Sequence, residues 1–253
     1  NMSTTLALFI TFLLGLFIVL GALLAFFFHK KQAVLDFLFA LALSLIAMLI
    51  VTDLLPEIME VLGLTYLWLF LICVAIGFFL FKILDEFIPE HHHEDEKLTK
   101  KQNQKNMTHI GVLTTIALII HNIIEGLAIF ITASNDLSLG IMMSLGVGLH
   151  NIPLGMIIST TFYQSEEKKN KLALYLTLLC LSTFFGGSIG YLCHLKDIPN
   201  LAMGSLLSIT LGMLSYIAFM ELWPRIKETK NQKMTIAGLI TGLVLLIATL
   251  FLK

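Results

Sequence analysis

Two short segments place metal-ligand side chains in otherwise apolar stretches of the chain. His121 and Glu125 lie four residues apart in the first segment, and His150 with Asn151 lies in the second. An ionisable side chain inside an apolar membrane helix is energetically costly and therefore marks a functional site. Imidazole nitrogen with carboxylate oxygen suits Zn2+, Fe2+, Mn2+ or Co2+, whereas Ca2+ and Mg2+ prefer oxygen alone. The residue types predict a transition-metal site.

The spacing of these residues directs them toward a common point. Residues four apart in a helix lie on one face, one turn from each other, so His121 and Glu125 can reach the same ion. Asn122 lies at the edge of that face, and its carbonyl oxygen is a further ligand or a partner of a ligand. If the next helix runs antiparallel, His150 and Asn151 fall at a similar depth.

Three other interpretations of these residues stay open. The side chains can be buried polar contacts between helices, or a proton relay in a carrier for another solute. They can also form the site of a membrane-embedded metalloenzyme, but the HExxH motif is missing and the eight His residues are scattered, apart from residues 91–93. We therefore expect no enzymatic activity and no resident cofactor, with the metal ion as the substrate.

The composition is that of an integral membrane protein. Of the 253 residues, 57% are hydrophobic and 13% are charged, whereas an average soluble domain has about 25% charged residues. The net charge of -1 gives no reason to expect nucleic-acid binding. The expected partners are a metal ion and the lipid bilayer.

Apolar segments of about 20 residues, the length that spans a bilayer, occur eight times. We therefore predict an all-α polytopic membrane protein with a single transmembrane domain over residues 1–253 and a His-rich loop at residues 85–106. The predicted helices, one to eight, cover residues 6–28, 34–55, 66–84, 110–131, 137–163, 172–193, 201–220 and 234–252.

The distribution of basic residues predicts the orientation. Lys and Arg favour the cytoplasmic side of short loops. The loops after helices one, three, five and seven, with the adjoining end of helix three, hold 14 of the 16 Lys and Arg residues. We expect a multi-pass protein of the plasma (inner) membrane with both termini outside and the loop at 85–106 in the cytoplasm.

A short sequence echo suggests an inverted repeat. Residues 53–58 (DLLPEI) close helix two, and residues 221–226 (ELWPRI) close helix seven. In the predicted topology these segments lie at opposite faces of the membrane. Repeats of opposite sense are common in transporters, with the substrate site at their interface. We predict that helices one to three and six to eight form such repeats around a central pair, helices four and five.

Acidic residues near the helix ends are secondary candidates. Asp53 and Glu57 lie four residues apart at the predicted outer end of helix two, where they can attract cations to an entrance. Glu221 and Asp36 can serve in the same way at the inner end. All four are equally compatible with ordinary helix-end charges.

The long loop contains a further cluster of metal-ligand types. Consecutive His and acidic residues in a flexible segment can capture metal ions loosely, although a solvated acidic loop has the same composition. His109 lies at a predicted membrane boundary without a ligand-spaced partner, and we assign it no chemistry. The loop candidates are His91, His92, His93 and Glu94.

The two motifs resemble those of the ZIP (Zrt- and Irt-like) divalent metal transporters of bacterial type. Residues 121–126 are similar to the fourth-helix HNxPEG signature, with Ile124 in place of proline, and residues 150–155 are similar to the fifth-helix signature. The eight-helix layout also matches. The resemblance implies uptake of a divalent transition metal, Zn2+ foremost and Fe2+, Mn2+ or Cd2+ as alternatives, through a site between helices four and five. It also suggests a homodimer.

Two departures from the family pattern bear on the number of metal ions. The resemblance places ligands of a first metal at His121, Glu125 and His150, and ligands of a second at Asn122 and Asn151. Leu154 stands where the family usually has a glutamate that bridges both metals, and helix six has no acidic residue. A second dication would have only Glu125 to compensate its charge. We predict a mainly mononuclear site, completed by water or Asn, that binds its ion less tightly than a site with two carboxylates.

Overall fold

The computed structural model describes residues 2–28, 31–87, 100–165, 169–229 and 231–252, which are almost entirely helical and contain no strand. The helices are α1 (Met2–Phe28), α2 (Gln32–Met48), α3 (Leu55–Leu62), α4 (Leu67–Phe87), α5 (Lys100–Asn135), α6 (Leu137–Tyr163), α7 (Lys169–Leu192), α8 (Asn200–Tyr216), α9 (Trp223–Lys227) and α10 (Gln232–Leu252). A short 3-10 helix, Leu64–Tyr66, precedes α4.

Most of these helices can cross a membrane. Within the described residues, six helical stretches are long and apolar enough to do so, and α6 contains two shorter apolar parts, Leu137–Gly148 and Leu154–Tyr163. The predicted all-α membrane protein is confirmed at this level. The six stretches are Ser3–Phe27, Gln32–Leu62, Leu64–Phe87, Met107–Asn135, Asn170–Leu192 and Asn200–Lys227.

Two π-helical turns occupy matching positions in separate helices. The first π turn, Leu49–Leu54, joins α2 to α3, and the second π turn, Ile217–Leu222, joins α8 to α9. A proline, Pro56 or Pro224, follows each turn in the first positions of the next helix. In each π turn the backbone hydrogen bonds connect residues five apart, as between the N–H of Leu55 and the carbonyl oxygen of Ile50. This shift of the hydrogen bonds just before the proline lets the helix accommodate a residue that lacks an N–H. Both helices therefore continue past the proline, beyond the ends predicted from the sequence.

Glycines bring the helices together in four close pairs. A Cβ atom on Gly21 would lie 1.8 Å from a carbonyl oxygen of α6, and one on Gly126 would lie 2.0 Å from a carbonyl oxygen of α7. A Cβ atom on Gly77 would lie 2.0 Å from a carbonyl oxygen of α8, and one on Gly238 would lie 2.3 Å from a carbonyl oxygen of α2. Small residues permit such close packing of membrane helices. The pairs define a first helix group (α1, α5, α6, α7) and a second helix group (α2, α3, α4, α8, α9, α10).

One apolar core connects the two groups. Its buried members include Ile18 of α1 and Leu154 of α6 from the first helix group, and Phe39 of α2 and Leu214 of α8 from the second. Helix α5 contacts α8 and the second π turn across this boundary. The polar residues of α5 therefore lie next to both groups.

Candidate metal site

Helix α5 places His121 and Glu125 side by side in the middle of an apolar span. His121 lies 14 residues from either end of the span Met107–Asn135. Its Nε2 atom is 3.9 Å from Oε1 of Glu125, and the two side chains are 3% and 13% exposed. Ligands of one tetrahedral Zn2+, each bound at about 2.0–2.1 Å, lie roughly 3.3 Å apart. A small rotamer adjustment therefore brings both groups onto one ion.

The two Asn residues next to this pair are fully buried. The Nδ2 group of Asn151 donates a hydrogen bond to the carbonyl oxygen of Leu14 on α1, at 3.3 Å. Both amide atoms of Asn122, and Oδ1 of Asn151, have no hydrogen-bond partner among the described residues. A buried polar atom without a partner costs about 1–3 kcal/mol. These amides therefore retain capacity to bind a water molecule or an ion.

The register between α5 and α6 brings the second motif level with the first. A Cβ atom on Gly111 of α5 would lie 3.2 Å from Cγ2 of Thr161 on α6. The helices are joined through a single residue and run antiparallel. His121 follows Gly111 by ten residues on α5, and Asn151 precedes Thr161 by ten residues on α6. His121 and Asn151 therefore lie at the same level. His150 precedes Asn151 and lies 13 residues from either end of α6. Its side chain is outside the part of the structure that is described.

Carboxylates are scarce in this half of the protein. Glu125 is the only Asp or Glu in α1, α5, α6 and α7. Leu154 is 3% exposed and belongs to the apolar core. On α7, the Ser182 hydroxyl donates a hydrogen bond to a backbone carbonyl of its own helix, and Thr183 is fully buried. The first helix group therefore offers a bound cation a single negative charge.

A second group of metal-ligand side chains lies where α4 ends, where α5 begins and in the second π turn. Three ligand atoms lie within 4.8 Å of one another, one each from Asp85, His109 and Glu221. Nε2 of His109 is 2.5 Å from Oδ1 of Asp85, and the Tyr216 hydroxyl donates a hydrogen bond to Oδ2 of Asp85. His109 and Glu221 are buried. We call these three residues the inner cluster.

The inner cluster corrects the expectation for His109. The sequence shows no partner for it at helical spacing, but its partner Asp85 lies 24 residues earlier, on another helix. Glu221 is a candidate from the sequence and joins this cluster, whereas nothing in the local sequence singles out Asp85. The signal that connects them is the position of all three residues at predicted helix ends on one side of the predicted topology.

The remaining candidates lie elsewhere. Asp53 is half-buried in the first π turn, and Glu57 is half-buried in α3. Asp36 is buried near the start of α2, where its Oδ1 accepts a hydrogen bond from Nε2 of Gln32 at 2.9 Å. The loop candidates, residues 91–94, lie outside the described residues.

Fold and residue types together define a polytopic membrane protein with side chains of metal-ligand type inside its helices. The sequence model of the family described as "ZIP Zinc transporter" matches residues 89–250. The chain belongs to this family.

Individual relatives share its sequence over most of their length. A protein of Streptococcus mutans named "Zinc transporter ZupT" is 29% identical over 188 residues, which cover 73% of this chain and 71% of the relative. A protein of the same name from Oceanobacillus iheyensis is 30% identical over 193 residues, covering 73% and 72%. One from Escherichia coli O7:K1 is 26% identical over 243 residues, covering 92% and 91%. All three relatives are named as transporters.

Proposed function

We propose that this chain carries a divalent transition metal, Zn2+ foremost, across the membrane into the cytoplasm. The observation that carries the proposal is the buried His121–Glu125 pair, 3.9 Å apart in the middle of an apolar helix. Family membership and the relatives' names support zinc as the substrate. Fe2+, Mn2+ and Cd2+ are further candidates because nitrogen and carboxylate ligands also suit other transition metals.

The ion binds between α5 and α6. His121, Glu125 and His150 are the proposed ligands, with water or the buried amides of Asn122 and Asn151 completing the shell. Because Glu125 is the only carboxylate of the first helix group, one dication with this ligand set keeps a net charge of +1. A second dication at the same place would add two uncompensated charges in a medium of low dielectric. The site is therefore mononuclear and binds weakly enough to release its ion.

The proposed transmembrane domain has eight spans built as an inverted repeat. Helices α6 and α10, with 27 and 21 residues, are about 40 and 32 Å long and complete the set. The proposed repeat makes α1 equivalent to α7, α2 to α8, α4 to α10 and α5 to α6. When each helix is replaced by its equivalent, the close glycine contact of α1 with α6 becomes that of α7 with α5. In the same way, the contact of α4 with α8 becomes that of α10 with α2. The two π turns are also equivalent, because the first follows α2 and the second follows α8. Both correspondences support the repeat suggested by the DLLPEI and ELWPRI segments.

The orientation rests on the basic residues. Their concentration beside the ends of α4 and α8 favours the cytoplasm on that side, so both termini lie outside the plasma membrane. The inner cluster then lies at the cytoplasmic end, and Asp53 with Glu57 lies at the outer end, where cations enter. Residues 91–94 capture metal ions on the cytoplasmic side. A homodimer, implied by the family resemblance, completes the proposal.

Metal uptake into proteoliposomes that contain the purified chain tests this function. Zn2+, Fe2+, Mn2+, Cd2+ and Mg2+ are compared, with Glu125→Gln beside the wild type. Glu60→Gln is the matched control because that side chain is exposed on α3. We expect uptake of Zn2+ but not Mg2+, lost in Glu125→Gln and retained in the control. Entry of every ion at the rate of empty vesicles, together with a metal-independent activity that requires Glu125, would refute the proposal in favour of a carrier for another solute.

Anomalous diffraction from crystals grown with Zn2+ or Cd2+ tests the number of ions. We expect one peak between α5 and α6. Two peaks about 4 Å apart at that place would contradict the mononuclear site.

A further inference from the structure

We propose that the segment after the second π turn binds the phosphate headgroup of an anionic phospholipid through Lys227 and Trp223. Both residues lie on α9, at the end of the apolar span Asn200–Lys227. An aromatic ring and a basic side chain at the end of a membrane span stand at the level of the lipid headgroups. This lipid site is on the surface of the second helix group, apart from the metal site proposed between α5 and α6.

The ammonium group of Lys227 lies over the ring of Trp223. Its Nζ atom is 5.2 Å from the ring centroid, within the range of about 6 Å for a cation–π contact. Both side chains are exposed, and among the described residues no carboxylate forms an ion pair with Lys227. The ring covers one side of the ammonium group, so N–H donors on the other sides can bind phosphate oxygens.

An apolar strip leads from the middle of the span to this pair. Phe219 and Met220, in the second π turn, are 66% and 52% exposed and lie about one helical turn before Trp223. Exposed apolar side chains on a membrane span face the acyl chains of the bilayer. A molecule that contacts both the strip and Lys227 must carry an acyl chain next to an anionic group. This chemistry is that of a phospholipid rather than of a free phosphate ion.

The surroundings of the pair carry a positive charge. Arg225 is compensated, because its Nη1 atom is 3.9 Å from Oε2 of Glu228 and Asp36 also interacts with it electrostatically. Four basic and two acidic described side chains on α9, beside it and at the starts of α2 and α10 give a net charge of +2. They are Lys31, Arg225, Lys227 and Lys233, with Asp36 and Glu228. A basic surface of this kind attracts anionic headgroups.

The first π turn provides a comparison within the same chain. Alignment of DLLPEI with ELWPRI makes Leu55 equivalent to Trp223 and Met59 equivalent to Lys227. Both copies have the π turn and the proline, so this local fold requires neither an aromatic nor a basic residue at these positions. The pair occurs in the copy at the end where the basic residues are concentrated, which is the cytoplasmic end in the proposed orientation. Anionic lipids are characteristic of the cytoplasmic leaflet.

Quenching of tryptophan fluorescence by brominated lipids tests the proposal on the full chain in vesicles. The chain has two tryptophans, so Trp68→Phe leaves Trp223 as the reporter and Trp223→Phe leaves Trp68. The vesicles contain phosphatidylcholine and phosphatidylglycerol, with bromine on the acyl chains of one lipid or the other. We expect phosphatidylglycerol to bind beside Trp223 about fivefold more tightly than phosphatidylcholine, as one basic residue near anionic headgroups contributes. Beside Trp68 we expect no such preference.

Two substitutions in the Trp68→Phe protein identify the basic residue responsible. Lys227→Met introduces the residue type of the other copy and should abolish most of the preference for phosphatidylglycerol. Lys196→Met is the matched control, because it removes an exposed lysine beyond the opposite end of α8, and it should leave the preference unchanged. High salt should weaken the preference because ions screen exposed charges.

Three results would overturn the proposal. The first is an equal preference beside the two tryptophans, and the second is an equal effect of Lys227→Met and Lys196→Met. The third is loss of the preference when excess inorganic phosphate is added at constant ionic strength, which would indicate a simple anion site. If Lys227→Met does not fold, the salt dependence decides, because a preference that high salt leaves intact contradicts the role of Lys227. No measurement here involves a metal ion, so failure of the transport proposal would leave these results unaffected.

Discussion

The two groups of metal-ligand residues differ in charge, in construction and in access. The pair on α5 has one carboxylate, comes from neighbouring turns of one helix and is buried at mid-span, with Glu125 13% exposed. The inner cluster has two carboxylates, draws on three helical segments and lies at a helix end, with Asp85 21% exposed. The pair on α5 therefore offers a cation one negative charge, whereas the inner cluster offers two.

This difference in charge bears on the proposed transport site, formed by His121, Glu125 and His150. A dication held there by two neutral imidazoles and one carboxylate would keep a net charge of +1. Because the effective dielectric in a protein is well below that of water, one charge is worth several kcal/mol at contact distance. We therefore expect the affinity of this site to depend strongly on the number of its carboxylates.

The largest expected effect is that of Glu125→Gln. The substitution removes the only carboxylate of the first helix group and leaves neutral ligands facing a dication. We expect the Zn2+ uptake rate in proteoliposomes to fall about 100-fold or more, whereas Glu60→Gln, which changes an exposed side chain of α3, should keep the wild-type rate. Equal rates in the two variants would contradict the role of Glu125.

Leu154→Glu should give the proposed transport site two carboxylates, the same number as in the inner cluster. A second carboxylate about 4 Å from a dication is worth about 8 kcal/mol at an effective dielectric of 20, before the cost of burying it. We expect Zn2+ affinity at the transport site to rise roughly 10- to 100-fold and the metal-free protein to melt at a lower temperature. Leu154→Gln is the control of similar size without the charge. A gain of affinity in both variants would contradict the electrostatic explanation.

The smallest effect concerns the framework of the transport site. A Cβ atom on Gly126 would lie 2.0 Å from the carbonyl oxygen of Thr183, so Gly126→Ala forces α5 away from α7. Such overpacking costs about 1–3 kcal/mol, measured as a lower melting temperature and slower uptake. Gly146→Ala is the matched control, because nothing lies within 4 Å of its added Cβ atom. Equal melting temperatures in the two variants would contradict this packing argument.

The sequence predicts local and periodic features well. Apolar length and composition identify a helical membrane protein, and the i, i+4 spacing of His121 and Glu125 anticipates their contact because both lie on one helix. The extension of two helices past Pro56 and Pro224 is harder to foresee. It depends on the π turns, whose hydrogen bonds between residues five apart let each helix accommodate the missing N–H of the proline.

The inner cluster escapes sequence analysis for a different reason. Its residues come from three segments, and no periodicity connects Asp85 with His109 or Glu221. The packing of α4 against α8, and of α5 against α8 and the second π turn, brings them together. Helix-end residues on one predicted side are therefore worth comparing even when they are far apart in the sequence.

The position of the inner cluster between the two helix groups has a thermodynamic consequence. His109 belongs to the first helix group and Asp85 to the second, so the contact between their side chains joins the groups. A movement that separates the groups at this place has to break that contact, and losing a buried hydrogen bond costs about 1–3 kcal/mol. The contact therefore acts as a latch that favours the arrangement seen here.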